Sequence, residues 1–246
     1  TIPNVRILND YNIQQRQKRT VTTLNTPTLH VLDFCYPVNK KRKKKKLLKN
    51  IYTQKSQPNS IPYVTSYYKK RWGFCLSEKQ KKLLPKGEYK VFIDSKFKKG
   101  SLDMMHAVIK GKSKKEILFT SYVCHPSMAN NELSGPVLLN ALMKYVKKKY
   151  NHRKYSYRFV LHPETIGSIT YLSHNYKDMK NKIFAGFNVS CVGDDRAYSY
   201  LPSRNGKTIS DLIAKHVLRW TDPNFIEYSW FDRGSDERQY CAPGID

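Results

Sequence analysis

The sequence predicts an α/β fold: a mostly parallel mixed sheet flanked by helices, with a small inserted β-rich domain. Three observations carry this expectation. From Gly135 onward, strand-like apolar runs alternate with helix-like segments of about ten to fifteen residues. KEILFTSYV (115–123) is near-continuously apolar, as a strand buried on both faces would be. The stretch 29–113 instead holds short β-branched and aromatic runs broken by Pro and Gly.

Taken in order, residues 1–28 are polar with isolated apolar positions and read as an N-terminal segment of the α/β domain. LHVLDFCYP (29–37) reads as a strand ended by Pro37. The run KKRKKKK (40–46) repels itself and has to be solvated, and it leads through LLKNIY into a short basic helix. Ser77 and Gln80 have capping-box spacing, which predicts a helix to Leu84 and a turn at Pro85–Gly87. YKVFIDS, SLDMMHAVIKG and KEILFTSYV read as three strands. Beyond them come helix (GPVLLNALMKYVKKKY), strand (YSYRFVLH), helix (TIGSITYLSHNY), strand (IFAGFNVSCVG), helix (KTISDLIAKHVLRW) and a further strand in FIEYSWFDRGSD. The expected organisation is 1–28 as part of the α/β domain, 29–113 as the small β-rich domain, and 114–246 as the main α/β domain, truncated at its C-terminal end.

Composition narrows the function classes. Hydrophobic residues make up 39% of the 246-residue chain, enough for a sizeable core, which excludes a disordered chain. No apolar run of about 18 residues exists, so no membrane span is expected. The start lacks the pattern of a secretory signal. Cys35, Cys75, Cys124, Cys191 and Cys241 are scattered, odd in number and without CxxC spacing, which argues against a disulfide framework and fits a reducing cytoplasm. Cys124 and Cys191 lie in apolar runs and are expected to be buried. The net charge of +26 admits two readings, a nucleic-acid-binding surface or compositional drift. Lysine far outnumbers arginine, the better bidentate reader of bases, so drift is preferred and nucleic acid is kept as the alternative partner.

Ligands of open α/β sheets bind outside the carboxyl ends of the strands. Four expected strand ends carry polar groups: His125 with Asn131 and Glu132; Glu164 with Thr165; Asp194, Asp195 and Arg196; and Asp232, Arg233 and Asp236. Histidine and carboxylates without paired cysteines suit zinc or a similar divalent ion. Glu164, just after a buried strand, suits a general base that serves an activated water. His162 reads as an orienting residue. There is no G-x-S-x-G elbow, no P-loop and no dinucleotide fingerprint, and Ser235 has no histidine nearby in sequence.

The blocks CHPSMANNELSGP, HPETIGS, VGDDRAYSYLPSRNG and RGSDERQYCAPGID, together with IPYVTSYYKKRWGFCLS, resemble a family of bacterial aminopeptidase-like proteins known as DUF4910 or DUF2172, related to the M28 zinc aminopeptidases. The resemblance implies a zinc-exopeptidase-like fold with an inserted small β-domain. It matches His125 to the first metal ligand and Glu164 to the base. The bridging Asp of the family pattern falls on Asn131, beside Glu132; the second Glu of a pair falls on Thr165; and another Asp ligand falls on Ser190, with Asp194 or Asp195 as replacements. A final His ligand would lie beyond residue 246. The implied site therefore holds one zinc in preference to two, with His125, Glu132 and Asp194 as candidate metal ligands. Asn131, Asp195, Arg196, Arg233 and Asp236 would contact a peptide or an amide-bearing small molecule. The expected activity is hydrolysis by a cytoplasmic metallo-aminopeptidase; the alternative is a non-catalytic binding or regulatory protein on the same fold.

Overall fold

The computed structural model describes residues 6–13, 30–32, 35–66, 69–95, 97, 99–125, 128–149, 151–232 and 234–242. The strands are β1 (Arg6–Ile13), β2 (His30–Val31), β3 (Val38–Lys43), β4 (Ile51–Tyr52), β5 (Phe74–Cys75), β6 (Glu88–Ile93), β7 (Lys99–Ile109), β8 (Glu116–Tyr122), β9 (Ser156–His162), β10 (Ile183–Asn188), β11 (Ser199–Tyr200) and β12 (Ile226–Glu227). The helices are α1 (Lys44–Leu47), α2 (Glu78–Leu83), α3 (Ser134–Lys149), α4 (Ile166–Lys182), α5 (Ile209–Thr221) and α6 (Asp236–Tyr240). Two compact units form, one from Thr1–Asp10 with Leu102–Asp246 and the other from Tyr11–Ser101.

In the smaller unit, β3 pairs antiparallel with β6 in register from Val38↔Ile93 to Lys43↔Glu88. Alternation buries Val91 and Ile93 and exposes Lys90 and Phe92. Val91, Ile93, Trp72, Phe74 and Leu76 share one core with Leu32, Leu47 and Leu84. The lysine run is the solvated outside of this unit, with Lys40, Lys41, Lys43, Lys45 and Lys46 exposed. Most of it is strand, however, and the helix there is one short turn. The Ser77–Gln80 capping box is present, with both reciprocal hydrogen bonds at 2.9 and 3.1 Å. Of the strand expected over 29–37, His30 and Val31 pair with β5 as β2, and residues 29, 33 and 34 lie outside the described residues.

The larger unit is built on a mixed sheet of order β1-β7-β9-β8-β10. β8 runs parallel to both β9 and β10, and β7 runs antiparallel to β9. The strand Lys99–Ile109, placed by sequence within the 29–113 segment, therefore belongs to this sheet. Its alternation of Leu102, Met104 and Ala107 feeds the sheet's own cores. Along β9, Val160 packs with Tyr171, Leu172 and Met179 of α4, while Phe159 packs with Leu139 and Met143 of α3. Adjacent strand residues face opposite ways, so α3 and α4 cover opposite faces of the sheet. β12 does not extend the main sheet: it pairs with β11 as a two-residue ladder and gives way to a 3-10 turn at Trp230–Asp232. The fourth strand end expected from sequence is thus a loop. Among the described residues, no helix is long and apolar enough to cross a membrane.

Candidate metal and catalytic site

β8 and β9 are parallel neighbours, so both deliver their carboxyl ends to the same rim. β8 ends at Tyr122, and three residues on stands His125. β9 ends at His162, and two residues on stands Glu164. The His125 Nε2 and Glu164 Oε2 atoms lie 4.0 Å apart, and both side chains are partly buried. Among the described residues, Cys124, His125 and Glu164 form a group whose potential ligand atoms all lie within 4.8 Å of one another.

Glu132 lies outside that 4.8 Å group. It sits in a π-helical turn, Ala129–Leu133, that runs directly into α3; such turns often mark functional sites. The side chain is 2% exposed, and its Oε2 accepts the Cys124 amide at 2.6 Å. Its Oε1 is buried without a hydrogen-bond partner among the described residues. Burial is the strongest influence on its pKa and pushes it up, against the Cys124 and His125 amides and the His125 ring, which favour the carboxylate. α3 can begin this close to the sheet because Gly135 has no side chain: a Cβ there would meet Ser121 Oγ at 2.2 Å and the Val189 carbonyl oxygen at 2.3 Å.

Glu164 is held by an unusual backbone. Thr165 adopts φ 61° and ψ −64°, and the Ile166 amide donates to the Glu164 carbonyl at 2.7 Å. That is a γ-turn of the positive-φ kind, which is rare and strained and is seldom adopted by a β-branched residue. Strain of this sort concentrates at functional sites. The Thr165 amide donates to Asp236 Oδ1 at 2.7 Å, and the Ser235 hydroxyl donates to Glu164 Oε1 at 2.5 Å. Burial, the largest influence, pushes the Asp236 carboxyl up to about 6.

His162 lies beneath this turn, and burial pushes its pKa down to about 4, so the ring is neutral near pH 7. A carbonyl can only accept, so Nδ1 carries the proton and donates to Pro163 O at 3.1 Å, while Tyr240 Oη donates to Nε2 at 2.8 Å. His162 thus ties Pro163 to Tyr240 and lies outside the 4.8 Å group.

The remaining expected residues are distributed unevenly. The Asn131 amide nitrogen donates to Tyr122 Oη at 3.3 Å and to Cys191 Sγ at 3.5 Å, and its Oδ1 is buried without a hydrogen-bond partner among the described residues. Asp194 stands in an exposed loop outside the 4.8 Å group. It accepts from Asn130 at 2.7 Å and from Arg196 at 3.0 Å, and Arg196, the strongest influence, holds it down to about 2. Arg196 is consumed in that pair, and Asp195 is exposed beside it. Arg233 lies outside the described residues. Asp236 is not a rim residue: it is 0% exposed and anchors the Thr165 turn from beneath, so the expectation that it touches substrate is corrected. Cys124, expected to be buried, is exposed, because the strand has already ended at Tyr122. The Ser235 hydroxyl is bonded to Glu164 Oε1.

Residues 3–246 match the model of the family described as Domain of unknown function (DUF4910). A Clostridium acetobutylicum protein, provisionally described as a polysaccharide biosynthesis protein with an aminopeptidase-like domain, is 38% identical over 245 residues, which is 100% of this chain and 56% of that one. The chain thus spans little more than half the length of this curated relative. The crystal structure of a Clostridium acetobutylicum protein, provisionally described as a peptidase, superimposes with a TM-score of 0.87 and 35% identity, over 99% of this chain and 62% of that one. A zinc aminopeptidase from Bacillus subtilis superimposes with a TM-score of 0.64 over 99% of this chain and 73% of that one; at 12% identity the likeness shows the fold alone.

Proposed function

The chain belongs to the DUF4910 family, and from that premise we propose that it forms the catalytic region of a zinc-dependent, aminopeptidase-like hydrolase. The observation that carries the reading is the approach of His125 and Glu164 beyond the ends of two parallel strands, with Glu132 bonded to the neighbouring Cys124 amide and one of its buried oxygens without a hydrogen-bond partner among the described residues. Nitrogen and carboxylate donors of this kind suit zinc. His125 and Glu132 would hold the ion, which when bound supplies an acidified water and polarises a carbonyl. Glu164 would serve as the general base, able to accept a proton from water and return it to a leaving amine. Ser235 and the Thr165 turn keep its carboxylate in place for that transfer. Asn131 Oδ1 is an acceptor suited to the amine or N–H of a substrate.

The substrate is a peptide or an amide-bearing small molecule. The polysaccharide context of the Clostridium acetobutylicum relative favours an amide on a sugar intermediate. The five cysteines form no disulfide with one another, which favours a reducing compartment such as the cytoplasm. The test is elemental analysis of the purified full chain beside His125→Ala and Glu132→Gln, followed by turnover of amino-acid and amino-sugar amides. Zinc bound by the wild type and lost in both variants is the expected result. A wild type free of metal and inert towards every amide would overturn the reading.

The exposed lysines at 40–46 favour a second reading, binding of nucleic acid. Its test is a binding isotherm at two salt concentrations with Lys40, Lys41, Lys43, Lys45 and Lys46 neutralised; unchanged affinity removes it.

A further inference from the structure

Neighbouring side chains on a strand leave from opposite faces, so a Cys-His pair does not ordinarily offer both groups to one point. Here the chain has left strand geometry after Tyr122, and the Cys124 sulfur, a His125 ring nitrogen and a Glu164 oxygen lie within 4.8 Å of one another. The backbone at Cys124 is fixed, because its amide is held at 2.6 Å by Glu132 Oε2. Glu132 is 2% exposed, and its other oxygen has no hydrogen-bond partner among the described residues. A buried acceptor left this way is costly unless a cation or donor completes it. Cys124 also stands apart from Cys35 and Cys75, which are buried and whose thiols burial pushes up to about 11. Cys124 is the exposed cysteine, and it lies beside a histidine and two carboxyls.

We propose that Cys124 is a thiolate ligand of the metal, so that the site offers sulfur from Cys124 and nitrogen from His125, with Glu132, which lies outside their 4.8 Å group, turning in to supply oxygen. This rests on the zinc reading above and deepens it. A tetrahedral zinc with bonds of about 2.0–2.3 Å places its donors roughly 3.5 Å apart, so these side chains draw together when the ion binds. Binding releases the thiol proton to solvent and leaves the sulfur as the anion. A soft sulfur donor selects zinc over magnesium, calcium and manganese. Glu164 then remains free to move the substrate's proton.

The experiment uses the metal-free full chain titrated with cobalt(II) alone, for wild type, Cys124→Ser and His125→Ala. Alongside it, alkylation of Cys124 by iodoacetamide is read by peptide mass with and without zinc. The expected result is a sulfur-to-cobalt charge-transfer band in the wild type, absent in Cys124→Ser, and alkylation of Cys124 slowed at least tenfold by zinc. Cobalt bound through His125 with no such band, and alkylation unaffected by zinc, would overturn the sulfur ligand and leave the zinc reading standing. A wild type that binds neither metal would overturn both. If Cys124→Ser fails to fold, alkylation of the wild type decides the question by itself.

Discussion

The Ser235 hydroxyl donates to Glu164 Oε1 at 2.5 Å, although 71 residues separate the two in the chain. The same stretch supplies Asp236 to the Thr165 amide. The start of α6, with Ser235 just before it and Asp236 at its first position, therefore holds both the carboxylate of Glu164 and the backbone that aims it. A general base works only when its carboxylate is in reach and correctly turned.

Replacing Ser235 by Ala should lower kcat about ten- to hundredfold and leave KM and metal content almost unchanged, since a hydrogen bond to a charged group contributes about 1.5–3 kcal/mol. Glu164→Gln should lower kcat by about 10²–10⁴-fold, also with metal retained. Steady-state kinetics on an amide substrate, with zinc analysis of each variant, checks both. Equal loss of zinc and activity in Ser235→Ala would mean that the serine supports the fold of the site and not the base.

Thr165 holds φ 61°, a region glycine occupies freely. Thr165→Gly should make the protein more stable by about 1 kcal/mol, as relief of strain of about 1–3 kcal/mol outweighs glycine's entropy cost. The same change should reduce kcat, because the turn that fixes Glu164 becomes loose. Urea unfolding and kinetics on one preparation measure both signs together.

Asp211 predicts an acid limb to stability. Burial pushes its pKa up, yet hydrogen bonds from Ser203, Tyr200 and Thr208 outweigh it and hold the carboxyl down to about 2. The donors are Tyr200 Oη at 2.5 Å, Ser203 N and Oγ at 2.7 and 2.6 Å, and Thr208 N and Oγ1 at 2.8 and 2.7 Å. The folded pKa lies below the ordinary 3.8, so its contribution is complete above about pH 4 and is lost as pH falls from there to about 2. Asp211→Asn should remove roughly 2 kcal/mol at pH 7 and flatten stability between pH 4 and 2. Chemical denaturation across that range tests it.

Gly135→Ala should destabilise by about 1–3 kcal/mol or more, because the added carbon meets a backbone carbonyl that cannot swing aside. Thermal unfolding measures the loss, and a drop in zinc content would follow from displacement of the Glu132 turn.

Much of this was legible in the chain of letters. The β8, β9, α3 and α4 periodicities predicted parallel strands flanked by helices, and a parallel pair brings its carboxyl ends to one rim, so His125 and Glu164 could be paired without coordinates. The Ser77–Gln80 box was readable because capping is local. FIEYSWF misled because β-rich composition does not say which sheet, if any, will accept a strand.

What the sequence by itself determined is therefore the local periodicity, the caps and the residue types at the strand ends, since each depends on neighbours a few positions away. Only the tertiary structure decided that Asp236 is buried against the Thr165 amide, that Ser235 bonds to Glu164, that Asp194 is paired with Asn130 and Arg196, and that the Cys124 sulfur lies near His125 and Glu164. Those outcomes depend on burial and on hydrogen bonds between distant segments, which no local pattern encodes because the partner is chosen by packing of the whole sheet and its helices.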